Sequence, residues 1–422
     1  MVTNYRAAIL FGWCLALASC DSTRPDPTAP AQEPSALPRD PPVALAPVTA
    51  ALVEGGFRVR NLGTLGGSMS DGTRINERSE VVGTAELPSG EVRAFLYRSG
   101  SGMRSLGTLG GDFSTASGIN DQSEVVGQST TRPRADFIRA FRWTEARGMQ
   151  SMGTLGGRSS SASSINNRRE AVGSSQISTG EFRAFLWSPG RGMRSLGTLG
   201  GDNSLASDIN DNSEVVGVSQ DRNGNNHAFI WTARRGMEDL GTLGGGDFSA
   251  AIGISQTGKV VGFSRRADGN EEAFLWTRGG GMRGLGTLGG PSSVAFGVNT
   301  HLRVVGTSLT EESFLLPFLW TRGRGMRPLP TLGGNQGEAI SLNEFGNITG
   351  RTTTPREALR ATLWTPVSGP LLVAEAEVEN AEADAAPTSP AVLARANACA
   401  EARRQVPWSQ AGITAWRACL GR

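Results

Sequence analysis

A glycine-rich stretch is the first feature of this sequence that could do chemistry. Leu-Gly-Thr-Leu-Gly-Gly occupies residues 62–67, and glycine-rich loops can hold phosphate groups through their backbone N–H groups. A P-loop also needs a lysine directly after its glycines, so that an ammonium group meets the phosphates. No copy of the stretch has one. The copies, with small changes, begin at residues 62, 106, 152, 196, 240, 285 and 329. They therefore predict a recurring turn and not a unique phosphate site.

The segment DRNGNN, which begins at Asp221, is a second candidate. Asp221, Asn223 and Asn225 alternate as ligands do in calcium loops, but the acidic residue that closes such a loop is missing. A hairpin turn is the favoured interpretation, and calcium is the one weak cofactor expectation. His227 and His301 have no neighbouring cysteines that would complete a zinc site. We expect no other metal or cofactor.

Short asparagine-containing segments are a third candidate. INDQSE (119–124) and INDNSE (209–214) carry pairs of acidic residues, but INNRRE (165–170) and ISQTGK (254–259) at the equivalent places do not keep the charge. Asparagine suits an Asx turn, in which its side chain bonds to the backbone two residues on. The pattern predicts turns and not a repeated metal site.

The elements that position these residues repeat. The glycine stretch recurs at spacings of 44, 46, 44, 44, 45 and 44 residues, which is typical of a repeat architecture. Residues 206–245 contain four apolar runs, ASDI, EVVGVS, HAFIW and GMEDLGTL, which turn residues separate. Four strands in about 40–45 residues is the pattern of a β-propeller blade. We name these strands A to D and predict an all-β, seven-bladed propeller of four-stranded blades at residues 57–367.

The C strands indicate how the blades pack. In HAFIW, Phe229 and Trp231 face one side of the sheet, and Ala228 and Ile230 face the other. Strands that are covered on both sides lose the alternation of apolar and polar residues. We expect the large pair to fill the space against small residues of the next blade.

The register of the repeats predicts how the ring closes. The array begins with a lone D strand, FRVRNLGTL from Phe57, and ends with a C strand, ATLW, at Trp364. These bounds enclose 308 residues, which equals seven periods of 44. The first D strand is therefore expected to complete the last blade and cover exposed strand edges. An open or solenoid-like array is the alternative, and a D strand within SGPLLV (368–373) would compete with this closure.

The loops predict where recognition occurs. B–C turns and D–A connections share one face of a propeller, and the B–C turns differ most from unit to unit. Variable loops on a rigid scaffold tend to carry binding residues. The candidate binding residues on this face are Asp112, Arg134, Asp202, Asp221, Asn223, His227, Asp247, Arg265 and Glu271. We expect Asp112, Asp202 and Asp247, which follow the glycine stretch, to surround the channel mouth; a solvated rim is the alternative.

The recurrent pattern IN…EVVG…HAF.W…G…LGTLGG resembles the HAF repeat of probable extracellular bacterial proteins. The His-Ala-Phe triplet itself is intact only at residues 227–229 and reads Arg-Ala-Phe at residues 93–95, 139–141 and 183–185. The resemblance covers about 308 residues. It implies an exported repeat protein and carries no established activity.

The amino-terminal segment predicts where in the cell the protein is located. Residues 1–19 contain an apolar run that is shorter than the roughly 20 residues of a membrane span and suits a signal peptide. Leu-Ala-Ser-Cys at 17–20 resembles the lipobox of bacterial lipoproteins, which implies cleavage before Cys20 and its lipidation. An ordinary signal peptide is the alternative. Residues 20–56 are rich in proline and alanine and lack aromatic residues, so we expect a disordered tether.

The carboxyl-terminal segment predicts a small appendage. Residues 368–389 form an acidic, alanine-rich linker, and the composition of residues 390–422 favours short helices. Cys399 and Cys419 are expected to form a disulfide that staples these helices in an exported chain. Free thiols or a bond to another chain are the alternatives.

Composition excludes some partners. The chain has 41 basic and 39 acidic residues and a net charge of +2, which gives no general reason to expect binding to nucleic acid or to an acidic membrane. We expect a monomeric, membrane-anchored lipoprotein of the bacterial cell envelope that faces the periplasm or the cell exterior. The nearly equivalent blades favour a non-enzymatic binding or scaffold module for an unknown protein or glycan ligand. The alternatives are a propeller hydrolase or lyase with a channel-mouth carboxylate or metal site, and an envelope spacer.

Overall fold

Strands make up the regular structure of the chain. The computed structural model describes residues 56–133 and 137–367, and this part contains strands and no helix. The strands form seven four-stranded antiparallel sheets, each the equivalent of one predicted blade. The predicted seven-bladed propeller is therefore confirmed. The predicted helical appendage, the signal segment, the tether up to residue 55, Cys20, Arg134, Cys399 and Cys419 lie outside the described residues.

The two inner strands of each blade follow the predicted order. The A strands are β2 (Ser70–Ile75), β6 (Ser114–Ile119), β10 (Gly156–Ile165), β14 (Gly200–Ile209), β18 (Phe248–Ile254), β22 (Gly289–Val298) and β26 (Gly337–Leu342). The B strands are β3 (Val81–Glu86), β7 (Val125–Thr130), β11 (Ala171–Ile177), β15 (Val215–Asp221), β19 (Val260–Arg265), β23 (Val304–Thr310) and β27 (Ile348–Thr353). A strands of neighbouring blades contact one another, so they surround the central axis.

The two outer strands complete each blade. The C strands are β4 (Val92–Arg98), β8 (Ile138–Thr144), β12 (Phe182–Ser188), β16 (Asn226–Thr232), β20 (Glu271–Thr277), β24 (Leu315–Thr321) and β28 (Leu359–Pro366). The D strands are β5 (Gly102–Ser105), β9 (Gly148–Ser151), β13 (Gly192–Ser195), β17 (Gly236–Asp239), β21 (Gly281–Gly284), β25 (Gly325–Pro328) and β1 (Phe57–Asn61). Blades are numbered 1 to 7 from β2 onward. The A–B face carries the A–B and C–D turns, and the B–C face carries the B–C turns and D–A connections.

The amino-terminal strand closes the ring. Blade 7 has the order β1-β28-β27-β26, so its outermost strand comes from the start of the propeller sequence. Phe57 pairs with Pro366 and Asn61 with Thr362, and the amide of Val367 donates to the carbonyl of Gly56 over 2.9 Å. The predicted closure is confirmed, and β1 occupies the place that a D strand at 368–373 would have taken.

Blades pack through the alternating sides of their C strands. Phe229 and Trp231 are buried in a cluster with Ala184 of blade 3, whereas Ala228 and Ile230 are buried in a cluster with blade 5. The predicted division into two sides is right, but the large pair packs against the preceding blade and not the next one. Burial of such side chains stabilises each blade junction by roughly 1.5–3 kcal/mol per side chain.

A glycine in each B strand allows close packing within the blade. A Cβ atom on Gly217 would lie 2.0 Å from the carbonyl oxygen of Leu205 on the adjacent A strand. Every other blade has a glycine at the equivalent position with a similar conflict. This explains why Val-Val-Gly recurs in the sequence.

The glycine stretch is the D–A connection between blades. Strand D ends earlier than predicted, because β17 stops at Asp239 and the stretch then crosses to the next blade. Ser204 fixes such a crossing: its hydroxyl donates to the carbonyl of Gly197 over 2.6 Å and accepts from the amide of Ala184 over 2.9 Å. The stretch therefore organises the chain, as its seven copies indicated.

Candidate functional site

The asparagine segments form turns on the A–B face. Asn210 Oδ1 accepts from the amides of Asn212 and Glu214, each over 3.0 Å, which is the geometry of an Asx turn. Its Nδ2 donates to Glu214 Oε2 and, over 3.1 Å, to the carbonyl of Ser255 in the next blade. Ser213 has a φ of 59°, in the left-handed region that such a turn requires. These residues hold the turns and the blades together.

An ion pair crosses the central channel. Arg74 of blade 1 donates from Nη2 to Asp208 of blade 4 and, over 2.8 Å, to Ser164 of blade 3. Asp208 also accepts from the amide of Ile254 in blade 5 over 3.1 Å. The equivalent residues in the other blades are Gly118, Ser164, Gly253, Gly297 and Ser341. The pair therefore occupies space that glycine and serine leave open, and it ties four blades together.

A second ionic group lies at the junction where the ring closes. Arg351 of blade 7 donates to Asp71 of blade 1 over 3.1 Å and to Glu338 over 2.7 Å, and all three side chains are nearly buried. Burial alone would lower the pKa of Arg351, but the carboxylates of Glu338 and Asp71 outweigh it and raise the pKa. One guanidinium is shared by two carboxylates, so this group links blades 1 and 7 within the protein.

The three carboxylates that follow the glycine stretch lie on separate blades. Asp112 Oδ1 accepts from the hydroxyl of Thr130 in its own blade over 3.2 Å. Asp247 pairs with Arg265 of its own blade, and Asp202 is exposed. Among residues 56–133 and 137–367, no three histidine, cysteine, aspartate or glutamate side chains form a group that could hold a metal ion.

The predicted residues of blade 4 also bond locally. Asp221 Oδ1 accepts from the amides of Asn223 and Asn225, each over 2.8 Å, so this segment is a hairpin turn. Burial acts to raise the pKa of Asp221, but the bonds from Asn225 and Asn223 outweigh it and lower the pKa. His227 Nδ1 lies 2.7 Å from Asp239 Oδ2 on the adjacent D strand. Asp221 and His227 therefore each have a local partner, and the charge of His227 also acts to lower the pKa of Asp221.

Blade 5 does bring three predicted residues together. Arg265, the last residue of β19, lies 3.4 Å from Asp247 Oδ1 through Nη1 and 3.8 Å from Glu271 Oε1 through Nη2. Its guanidinium carbon is 5.4 Å from the ring centroid of Phe248, within the range of a cation–π contact. Asp247 is well exposed, Arg265 is half-buried and Glu271 is buried, with side-chain exposures of 68%, 24% and 6%. We name Asp247, Arg265 and Glu271 the blade 5 cluster.

Glu271 is the unusual member of the cluster. The equivalent residues in the other blades are Val92, Ile138, Phe182, Asn226, Leu315 and Leu359, so a position that is mostly apolar holds a carboxyl group. Burial raises the pKa of Glu271 to about 7, against the opposing charge of Arg265. Its Oε2 atom is buried and has no hydrogen-bond partner among the described residues. Glu271 thus lies beneath Arg265 and helps to set its position, while Asp247 and Arg265 are reachable from solvent.

Sequence reasoning named the members of the blade 5 cluster but not their association. It missed Arg74 and Asp208, although the sequence contains a signal for them: both are charged where the other units have glycine or serine.

A search of the described residues for helices that could span a membrane finds none.

Comparison with known proteins adds a fold likeness. The sequence matches no family model and no curated protein, so the resemblance to the HAF repeat stays a prediction. TolB from Acinetobacter baumannii is 14% identical, with a TM-score of 0.45 over 68% of this chain and 67% of that chain. The BP39L lectin from Burkholderia pseudomallei is 9% identical, with a TM-score of 0.46 over 75% of this chain and 97% of that chain.

A third similar structure is an enzyme. The acylaminoacyl peptidase from Pyrococcus horikoshii is 10% identical, with a TM-score of 0.46 over 72% of this chain and 52% of that chain. This chain thus spans about half of that peptidase. At such low identities and scores, these three proteins do not decide between binding and catalysis here.

Proposed function

We propose that this protein is a non-enzymatic binding module of the bacterial cell envelope that recognises its ligand through the B–C face. The blade 5 cluster is the observation that carries this proposal. It joins a D–A connection, the end of strand B and the start of strand C, which are the elements that the sequence predicted for recognition. The A–B turns, in contrast, are occupied by bonds between blades.

The geometry of the cluster suits a polar ligand. Arg265 is fixed between Asp247, Glu271 and the Phe248 ring, so little side-chain entropy is lost when it binds. Asp247 is well exposed beside it and offers acceptor atoms. Sugar hydroxyl groups both donate and accept hydrogen bonds, so a neighbouring guanidinium and carboxylate can serve one sugar. A glycan is therefore the first ligand class to test, and a protein is the second.

A glycan array tests this proposal. The mature chain, residues 20–422 with Cys20→Ser, is labelled and applied to immobilised oligosaccharides. We expect Arg265→Ala to weaken the strongest signal at least tenfold, because a hydrogen bond from a charged group contributes roughly 1.5–3 kcal/mol. Arg283→Ala is the matched control, since Arg283 is exposed on β21 of the same blade. Glycan binding that Arg265→Ala leaves unchanged would contradict the assigned site.

The enzyme alternative has less support. The carboxylates predicted at the channel mouth, Asp112, Asp202 and Asp247, each belong to a different blade, so a hydrolase or lyase would have to use the unlike polar groups of the blade 5 cluster. Metal analysis of the mature chain, with thermal melting in the presence and absence of calcium, tests this alternative. A tightly bound ion that Asp247→Asn removes would favour it.

The lipid anchor remains part of the proposal. The lipobox at residues 17–20 supports lipidation of Cys20 and export into the envelope. Metabolic labelling with an alkyne fatty acid should mark the wild-type chain and not the Cys20→Ala variant. Equal labelling of both would contradict it.

A further inference from the structure

The chain enters and leaves the propeller on the A–B face. β28 is a C strand, and it runs from the B–C face to the A–B face, where it ends beside the start of β1. The amide of Val367 donates to the carbonyl of Gly56, so entry and exit are adjacent on blade 7. The segment that leads to Cys20 therefore joins the propeller on the face opposite the blade 5 cluster.

Basic residues are concentrated on this face beside blade 7. The A–B and C–D turns of blades 5 and 6 are residues 255–259, 278–280, 299–303 and 322–324. They contain five lysine or arginine residues and no aspartate or glutamate: Lys259, Arg278, Arg303, Arg322 and Arg324. Arg278 also lies 3.6 Å from Glu238 and 3.9 Å from Glu214 of blade 4. We name these five residues the basic sector. Arg322 is exposed and forms no ion pair with a described residue.

One apolar side chain adjoins the basic sector. Phe345, in the A–B turn of blade 7, is 69% exposed and is the one large apolar side chain in the described part of the chain with such exposure. Glu344 beside it is directed toward blade 6, where it accepts from the amide and hydroxyl of Thr300. Exposed aromatic residues next to basic residues are typical of surfaces that insert into lipid headgroups.

We propose that the basic sector and Phe345 dock the propeller on an anionic lipid bilayer. Charge complementarity and the point where the tether joins both select this partner. With the edge of blades 5 to 7 on the membrane, the B–C face points away from the bilayer. The lipid anchor would raise the concentration of the propeller near the membrane. A lipid anchor and a basic surface patch together give stable attachment, whereas either alone is weak.

Acidic residues define the edge of the contact. On the A–B face they occur mainly on blades 1, 2 and 4, and several are engaged within the protein: Glu77 accepts from the amide of Glu344, and Asp121 accepts from the amide of Glu77. A flat contact of the whole face would place these carboxylates over anionic lipid. The charge pattern therefore favours a tilted contact through blades 5 to 7.

Vesicle co-sedimentation tests the docking surface without the anchor. The mature chain with Cys20→Ser is mixed with vesicles of phosphatidylcholine alone or of phosphatidylcholine with the anionic lipid phosphatidylglycerol. We expect binding only to the anionic vesicles and weaker binding as salt rises. The double variant Arg322→Gln, Arg324→Gln should bind anionic vesicles about 25-fold more weakly. Each arginine near an anionic surface is expected to raise the affinity about fivefold.

Two further variants keep the test independent of folding. Arg158→Gln with Arg222→Gln removes two exposed arginines from the B–C face and should leave vesicle binding unchanged. Phe345→Ser should weaken binding even at high salt, because it removes an apolar contact. Equal binding to both vesicle types would overturn the proposal. So would a B–C face control that loses as much vesicle binding as the Arg322 and Arg324 variant. Glycan binding in the Arg322 and Arg324 variant should persist, which separates this proposal from the proposed function.

Discussion

Glu271 makes the stability of this protein depend on pH in a way that one substitution should remove. The carboxyl group is buried at a position that holds leucine in blades 6 and 7, and burial raises its pKa from 4.5 to about 7. Arg265, at 3.8 Å, offsets only part of the cost of burying the charge. Glu271→Gln keeps the size of the side chain and removes its ionisation.

The expected effect follows from proton linkage. A carboxyl group with a raised pKa in the folded state contributes stability below about pH 4.5, and this contribution is lost as the pH rises through about 7. With these two pKa values, the wild-type chain should lose about 2–3 kcal/mol of unfolding free energy between pH 5 and pH 8 through this group. The variant should therefore match the wild type at pH 5 and exceed it by about that amount at pH 8.

Urea unfolding at pH 5, 6, 7 and 8, chosen to span the raised pKa of about 7, measures this difference. Glu311→Gln is a matched control, because Glu311 is an exposed glutamate on the same face. A constant offset between Glu271→Gln and wild type at every pH would refute the reasoning, since only a titrating group produces a changing difference.

Three other substitutions probe how the blades are held together. In urea titrations, Asp208→Asn should lower the unfolding free energy by about 2–4 kcal/mol, because Arg74 then loses its counter-charge in the channel. The double variant Arg74→Met, Asp208→Asn should lose less unfolding free energy than the two single variants together. Ser204→Ala should cost about 1–3 kcal/mol, because the buried amide of Ala184 loses its acceptor. Gly217→Ala should yield little folded protein by circular dichroism, since its Cβ would lie 2.0 Å from a carbonyl oxygen. Melting of this variant near the wild-type temperature would contradict the prediction and show that the A and B strands can move apart.

Periodicity accounts for what the sequence predicts well. Each unit repeats the same apolar runs, so blade number follows from counting, and the lone D strand at Phe57 determines how the ring closes. Strand ends are predicted less well. GMEDLGTL continues as an apolar run, but Gly241 has a φ of 75° and turns the chain out of the sheet after Asp239.

The site is harder to predict because its residues meet through the fold. Arg265 and Glu271 are register partners across the B–C hairpin of blade 5, whereas Asp247 precedes strand A, and its approach to Arg265 depends on how the A and B strands pair. Arg74 and Asp208 are 134 positions apart and meet only because the ring brings blade 1 opposite blade 4. A comparison of the seven units identifies Arg74, Asp208, Arg265 and Glu271 as exceptions, but it does not pair them. Asp247 is not an exception, because the units of blades 2 and 4 also have aspartate after the glycine stretch.

Blade 7 shows a compensation that a comparison of units can detect. Six blades have a serine at the start of strand A that accepts from an alanine amide of the preceding C strand, as Ser293 does from Ala273 over 3.0 Å. At the junction of blades 6 and 7, Gly337 replaces the serine and Pro317 replaces the alanine. Proline has no backbone N–H group, so this junction has no donor that would need a serine hydroxyl as its acceptor.

The different roles of the two faces are tested most directly by one fluorescence titration. An environment-sensitive label is attached at Phe345→Cys or at Asp247→Cys, in a chain of residues 20–422 with its other cysteines changed to serine, and anionic vesicles are added. We expect a blue shift from the label at residue 345 and none from the label at residue 247. A shift at residue 247, or equal shifts at both, would contradict the assignment of membrane contact to the A–B face and recognition to the B–C face.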